Sequence, residues 1–300
     1  MKGRLLNMGF HYKPMLIAVF VFVGLLSGCT NNTETIQSGI GEAVEGIRDT
    51  VQDTALDLSD ELKRNGIHQE ISYTQEVDHS VSALQVDHEV GNIVVKGTSD
   101  DKIKVTATIW SLDKASRDDK YQEIMDHAEI SVVVNGDQLE VVTHPKGNEK
   151  LNMWKWAKKE YGFSNFSIDY MIEIPDRVKN YDISSEVGEI NLSNLRGVYD
   201  VHNNVGSVSI EGAQIEGKSS IVSETGSLQL GIDQMQEDSS LKVRTEVGAI
   251  VANLAESLQC SLETKTEVGS ITGASKGKSD INGGGPLLLL TSSVGSITVN

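Results

Sequence analysis

The sequence predicts a mainly β chain. Short strands stack as a β-solenoid over residues 67–300, with a small α+β insertion near its start and a helical stalk before it. Three observations predict this. One phrase recurs, as Glu186-Val187-Gly188-Glu189-Ile190, Asn204-Val205-Gly206-Ser207-Val208, Glu224-Thr225-Gly226-Ser227-Leu228, Glu246-Val247-Gly248-Ala249-Ile250, Glu267-Val268-Gly269-Ser270-Ile271 and Ser293-Val294-Gly295-Ser296-Ile297, with an outlying copy at Glu89-Val90-Gly91-Asn92-Ile93. Its glycines return roughly every twenty residues, a fixed period of the kind that stacked repeats produce. Aromatic residues are only 5% of the chain, and beyond Pro175 just Tyr181 and Tyr199 occur. A thin core of aliphatic and small polar side chains has that composition, whereas a globular core usually holds more large rings. An antiparallel sandwich is the alternative reading of the same strands.

Residues 1–28 have the three parts of an export signal. Lys2, Arg4 and Lys13 form a basic start without an acid, and Met15 to Leu26 is an apolar run. That run is short for a membrane span. It ends in Leu26-Ser27-Gly28-Cys29, which resembles the bacterial lipoprotein lipobox. The resemblance implies cleavage before Cys29, lipidation of its thiol with fatty acids such as palmitate, and an acylated mature N-terminus. Two or three acyl chains would hold the protein stably at the extracytoplasmic face of the cell membrane, where one alone would be marginal. An uncleaved anchor and ordinary secretion are the alternatives.

Residues 29–66 form the predicted stalk. Ile36, Ile40, Val44, Ile47, Val51, Ala55, Leu58 and Leu62 recur at spacings of three and four, one stripe of a helix. Lys63, Arg64 and Asn65-Gly66 are a fitting helix stop. The stripe reads either as a spacer that keeps the domain clear of lipid or as a helix that packs on a partner.

From residue 67 the pattern turns to period two, and the first copy of the phrase follows. An insertion over about residues 98–175 then interrupts the array. Lys102 to Trp110 alternates as a strand, and Ala115 to His127 has helical spacing. Ile130–Val134 and Leu139–Val142 flank Asn135-Gly136-Asp137, a hairpin turn. Phe166 to Ile174 reads as a strand closed by Pro175. Within the insertion lies the one aromatic and basic patch: Trp154, Trp156, Lys155, Lys158 and Tyr161, with Lys146, Lys150, Lys159 and Phe163 nearby. On a helix Leu151, Trp154, Lys158 and Tyr161 share a face and Trp156 sits elsewhere. Rings among lysines suit a glycan platform, a membrane interface or a protein contact. A lid that buries its rings over the end of the stack is the other reading.

Within one repeat, Ile183, Ser185 and Val187 are expected to point inward, followed by Ile190 and Leu192. The step from Val187 to Ile190 is three, whereas alternation needs an even step, so the chain must turn at Gly, where the missing Cβ permits the bend. Stacking such coils pairs each strand with its neighbours and makes a continuous core. Two ladders follow. Ser185, Asn203, Ser223, Thr245, Thr266 and Ser292 should stack inward as hydrogen-bonding groups. Glu186, Glu224, Glu246 and Glu267 should stack outward. Like charges one rung apart repel by roughly 1 kcal/mol in water, and Arg244 and Lys265 could offset this through diagonal pairs of about 0.2–1 kcal/mol. A calcium row is the sharper reading of these glutamates, but single carboxylates without further oxygen ligands make poor calcium cages. No metal site and no cofactor are expected.

The repeat unit resembles the bacterial "putative adhesin" family of envelope domains. Val86 to Gly97 looks like its opening rung, Glu173-Ile174-Pro175 with Tyr181 to Gly188 like the lead-in to its array, and Gly283-Gly284-Gly285-Pro286 with Thr291 to Ile297 like its closing rung. The resemblance covers roughly residues 68–300. It implies a β-solenoid in the cell envelope, sometimes tied to envelope-stress signalling, with no known catalytic residue. The Trp-containing insertion and the run Leu287 to Leu290 depart from the pattern.

The formal net charge is −17, which repels phosphate backbones and argues against nucleic acid as a partner. The histidines are scattered and none pairs with a nucleophile motif; His202 on a rung reads as a solvated residue and Cys260 as a small core residue. The glycines lie between strands, which is no phosphate-binding context. The expected function is therefore a non-catalytic binding or structural module, lipid-anchored at the membrane, whose partner is an envelope protein, a peptide or a glycan. A regulator of an envelope-stress system is the alternative. A polysaccharide-active enzyme is a weaker third reading, since it would need acids and bases gathered in a groove.

Overall fold

The computed structural model describes residues 66–111 and 118–300. The predicted signal segment, Cys29 and stalk residues 29–65 lie outside the described residues. The first half runs β1 (His68–Glu76), β2 (Ala83–Val90), β3 (Ile93–Thr98), β4 (Lys102–Ser111), α1 (Asp118–Asp126), β5 (Ala128–Asn135), β6 (Gln138–Pro145), α2 (Met153–Tyr161) and β7 (Phe166–Pro175). After it come β8 (Asn180–Val187), β9 (Ile190–Ser193), β10 (Arg196–Val205), β11 (Val208–Ile215), β12 (Lys218–Thr225), β13 (Leu228–Met235), β14 (Ser240–Val247), β15 (Ile250–Leu254), β16 (Cys260–Val268), β17 (Ile271–Thr272), β18 (Gly277–Ile281), β19 (Leu287–Val294) and β20 (Ile297–Val299).

These strands pair into two ladders. One runs β5, β6, β2, β8, β10, β12, β14, β19, β16, β18. The other runs β1, β4, β7, β3, β9, β11, β13, β15, β20, β17. Pairing is parallel through the interior of both. It turns antiparallel only towards the ends, at β5–β6, β16–β18, β1–β4 and β4–β7. Each copy of the phrase places one strand on each ladder, with the glycine at the corner between them. Parallel neighbours need a long return connection, and the roughly twenty-residue period supplies it.

The core lies between the two ladders. Ile183, Val201, Ile221, Val243, Leu290 and Leu262 face it from one side, and Ile190, Val208, Leu228, Ile250 and Ile297 from the other, all essentially without exposure. Tyr181 and Tyr199 stack on adjacent rungs with ring centroids 5.3 Å apart. Their hydroxyls donate to the Val178 and Leu195 carbonyls, so burying these rings leaves no orphaned donor.

Four of the valines before the glycines are not part of this core, contrary to the sequence reading, whereas Val90 of the first copy packs against it. Val187, Val205, Val247 and Val268 are each nearly half exposed. The inward series ends at the ladder residue, Ser185 in the first of these coils, and resumes at Ile190. The residues between turn the corner, which places the valines on its outer edge. The glycine answers a second demand there besides the bend. Gly226 has φ +150°, and a Cβ on it would stand 1.9 Å from the Gly206 carbonyl oxygen. The same close approach links Gly188 to Gly91, Gly206 to Gly188, Gly248 to Gly226, Gly295 to Gly248 and Gly269 to Gly295. Stacked backbones meet at this corner with no room for a side chain.

Spatial order departs from chain order at both ends. The first rung, β2 and β3, lies between β6/β7 and β8/β9. The last, β19 and β20, lies between β14/β15 and β16/β17. The chain overshoots with β16, folds back antiparallel as β18, and returns through Gly283-Gly284-Gly285-Pro286 to fill the gap. Leu288 and Leu290 of the leucine run are thereby fully buried, and Leu287 and Leu289 half-buried. The interrupting segment is likewise in register with the array, because its β6 and β7 continue both ladders.

Candidate functional site

Two polar and aromatic features stand out: the inward polar ladder and the helix pair of the interrupting segment. In the ladder Ser185, Asn203, Ser223, Thr245, Ser292 and Thr266 are all buried. Thr245 donates to the Gly226 carbonyl at 3.1 Å, Ser292 to Gly248 at 3.0 Å, Thr266 to Gly295 at 3.0 Å and Asn203 to Gly188 at 3.0 Å. Each of these four therefore latches the corner of the neighbouring coil. Strand register extends the ladder to His88, opposite Ser185, a member that the sequence reading left among scattered histidines. His88 is buried against Trp154 and Tyr170, with ring centroids 5.3 and 4.9 Å away. Burial pulls its pKa down to about 4, against weaker opposing effects of the Ile168 backbone and Asp169, so the imidazole is neutral at pH 7. Burial also pushes the Tyr170 phenol up to about 12.

Glu186, Glu224 and Glu267 are exposed and Glu246 half-buried, and Arg244 and Lys265 pair within their own strands instead of diagonally between rungs as expected. Arg244 bonds Glu246 at 2.5 Å, whereas Lys265 turns the other way and bonds Glu263 at 2.5 Å. Glu263 is the more enclosed carboxylate, so its charge is less screened by water and holds Lys265 even with Lys278 nearby. Asn204 donates to Glu186 and Ser293 to Glu246, so neutral residues separate some of the carboxylates along the row. Among the described residues, no three His, Cys, Asp or Glu side chains gather as a metal site. His202 is exposed and bonded to Asn204. Cys260 is buried in the core, and burial raises its thiol to about 11, an inert state for a cysteine.

The predicted patch falls on α2, and its sequence explains the helix. Asn152 caps the start, its side chain accepting from the Lys155 amide at 3.1 Å. Gly162 closes the end at φ +81°, its amide donating to the Lys158 carbonyl at 3.1 Å. Lys158 and Lys159 in the last turn complement the helix dipole. The buried face is Met153, Trp154 and Ala157.

Trp154 thus leaves the exposed patch. Its indole N–H donates to the Phe166 carbonyl at 3.1 Å, and its ring stacks on Phe166 at 5.4 Å. Its place is inside, between His88 of β2 and Phe166 of β7. Trp156 and Tyr161 remain half-buried at the surface, with Lys155 and Lys158 exposed beside them. Trp156 meets Tyr161 edge-on at 5.6 Å and the exposed His127 at 5.5 Å. Tyr161 lies 6.3 Å from Phe163, which touches Tyr121 of α1 at 5.2 Å. Lys120 of α1 stands over the Tyr161 ring, 5.9 Å from its centroid. Burial, then the charge of Glu123, raises the Tyr161 phenol above its usual value. Phe163 was read with the patch, but His127 and Lys120 were not singled out by sequence reasoning as members of the same cluster. The helical spacing of Ala115 to His127 was the available signal, since it delivers a second helix to α2.

Two open depressions lie on the surface of the described residues. One is lined by Glu129, Gly147, Asn148, Glu149 and Lys150, the other by residues around Asp101 and Arg177. Neither lies at the polar ladder.

No family model matches the chain, and no curated protein matches it by sequence. Solved structures resemble it distantly. A "putative cell adhesion protein" from Clostridium sporogenes is 13% identical with a TM-score of 0.37, over 77% of this chain and 99% of that one. A "putative adhesin" from Bacteroides fragilis is 16% identical with a TM-score of 0.39, over 77% and 97%. A "putative lipid binding protein" from Parabacteroides distasonis is 12% identical with a TM-score of 0.29, over 76% and 97%. At these scores the likeness carries no weight for what this chain does.

Proposed function

We propose that this chain is a non-catalytic binding module of the cell envelope, a β-solenoid of the adhesin-like kind held at the extracytoplasmic face of the membrane by lipid on Cys29. The observation that carries the binding role is the contrast between a rigid stack and the helix pair on its first rungs, where Trp156 and Tyr161 are only half-buried among lysines. Aromatic side chains in that state contribute contact area to a partner at low entropic cost. The stack itself supplies rigidity, with its interior strands bonded on both sides and its corners latched. The lipid anchor rests on the lipobox-like Leu26-Ser27-Gly28-Cys29.

The test has two arms. A Cys29→Ala chain should lose label from a radiolabelled fatty acid and remain unprocessed; unchanged labelling would refute the anchor. In-cell crosslinking through a photoreactive residue at position 158, followed by mass spectrometry, should capture an envelope component. Recovery of the uncrosslinked chain alone, under conditions where a control membrane protein is captured, would refute the binding role. Capture of a membrane sensor protein would favour the stress-regulator reading instead.

A further inference from the structure

We infer that the partner of the α2 face is the anionic headgroup layer of the membrane itself, so that the domain stands on this helix. This rests on the lipid-anchor reading above. Three observations support it. The first is local charge. Between His144 and Phe163 the chain carries Lys146, Lys150, Lys155, Lys158 and Lys159 against only Glu149 and Glu160, whereas α1 carries Asp118, Asp119, Glu123 and Asp126 against Lys120, so the basic face belongs to α2 in a protein of net charge −17. Lysines near an anionic bilayer are each drawn to its surface potential. The acidic remainder is repelled by the same surface, so charge orients the domain patch-down.

The second is side-chain type. Trp156 and Tyr161 are half-buried and ring-stacked, with apolar bodies and polar tips, the character that places such residues at headgroup depth. Lysine stems can lie along the rings while their ammonium groups reach phosphate.

The third is where the chain arrives. The described residues begin at Gly66, and the Ile67 carbonyl accepts from the Ser111 amide at the end of β4. Gln69 accepts from Gln122 of α1. The segment that leads back to Cys29 therefore reaches the fold beside α1, at the same end as the patch. A tether attached there brings this end of the stack closest to the bilayer.

Tryptophan quenching tests the inference on the full chain. The protein is reconstituted with vesicles of phosphatidylcholine alone or mixed with phosphatidylglycerol, each with or without a headgroup-linked nitroxide lipid, and floated on a density gradient. Expected is flotation with the anionic vesicles and nitroxide quenching of tryptophan fluorescence. That quenching should be lost in Trp156→Phe and in the Lys155→Gln/Lys158→Gln/Lys159→Gln variant, both still floating and both with wild-type circular dichroism. A chain that floats but is equally bright with and without nitroxide would overturn the inference and leave the anchor standing, pointing to a protein or glycan partner for the patch. A chain that fails to float with anionic vesicles would overturn both.

Discussion

The regular coils from β8 onward and the cap built by β1 to β7 obtain stability in different ways. In the coils the backbone is the repeated object. Two rings, Tyr181 and Tyr199, serve that whole region, and stacked strands, latched corners and columns of aliphatics do the rest. The cap concentrates its aromatics instead: Trp154 on Phe166, His88 on Tyr170, Trp156 on Tyr161. A repeat tolerates little at its corner and much on its outer face. The cap tolerates more in its loops, because its glycines at 136, 147 and 162 have open space around them. A surface that must change with its partner is thus better placed on the cap than on the coils.

The strongest way to break this contrast is at the far end. Deleting residues 287–300 removes β19 and β20, which lie between earlier rungs, so β16 and β17 lose the parallel neighbours that join them to the stack. Hydrogen exchange should show loss of protection across Cys260–Val268 and weakening of β14, while β5 to β7 stay protected. Protection of β16 in the truncated chain would contradict interior placement of the last rung. Next, the same change should behave differently in the two regions. Gly226→Ala meets a carbonyl at 1.9 Å and should cost more than about 4 kcal/mol, in the range of strain and overpacking. Gly136→Ala, at φ +66° with nothing nearby, should cost about 1–2 kcal/mol. Urea unfolding of the two variants would decide it.

The junction of cap and coils should respond to acid. The folded His88 pKa, about 4, lies below the ordinary value of 6.5, so the unfolded chain binds the extra proton between these values. The contribution is complete above about pH 6.5 and is lost as pH falls towards 4. Its size is about 3 kcal/mol, since a tenfold difference in proton affinity corresponds to about 1.4 kcal/mol. His88→Phe should flatten the stability–pH curve in that window; an unchanged slope would show that His88 does not set it. The smallest effect separates two ladder members. Thr245→Val removes a bond to the Gly226 carbonyl and should cost about 1 kcal/mol. Ser223→Ala removes a buried hydroxyl with no hydrogen-bond partner among the described residues and should be neutral or slightly stabilising. Equal losses in thermal melts would mean that the latch contributes nothing.

Much of the coil region was legible in the residues because its signals are local. The Val-Gly phrase marked each corner and Ser185 to Ser292 the inward ladder, and in the cap Asn135-Gly136-Asp137 marked the β5–β6 hairpin in the same way. The corner valines were misplaced because alternation was carried two residues too far. Where a strand stops alternating depends on the turn it enters, and that turn is closed by the carbonyl of another coil. The α2 patch was half legible. Composition located the rings and lysines, but a helix face alone could not tell Trp154 from Trp156. That choice came from Phe166 and His88, which approach from other strands.

By itself, then, the sequence determined the period, the glycine corners, the polar ladder and the charge contrast, since each follows from spacing or composition along the chain. Tertiary structure alone decided the order of the rungs, the exposure of the valines, the burial of Trp154 and His88, and the meeting of α1 with α2. Each of these depends on contacts between residues far apart in the chain, and for such contacts neither spacing nor propensity carries a signal.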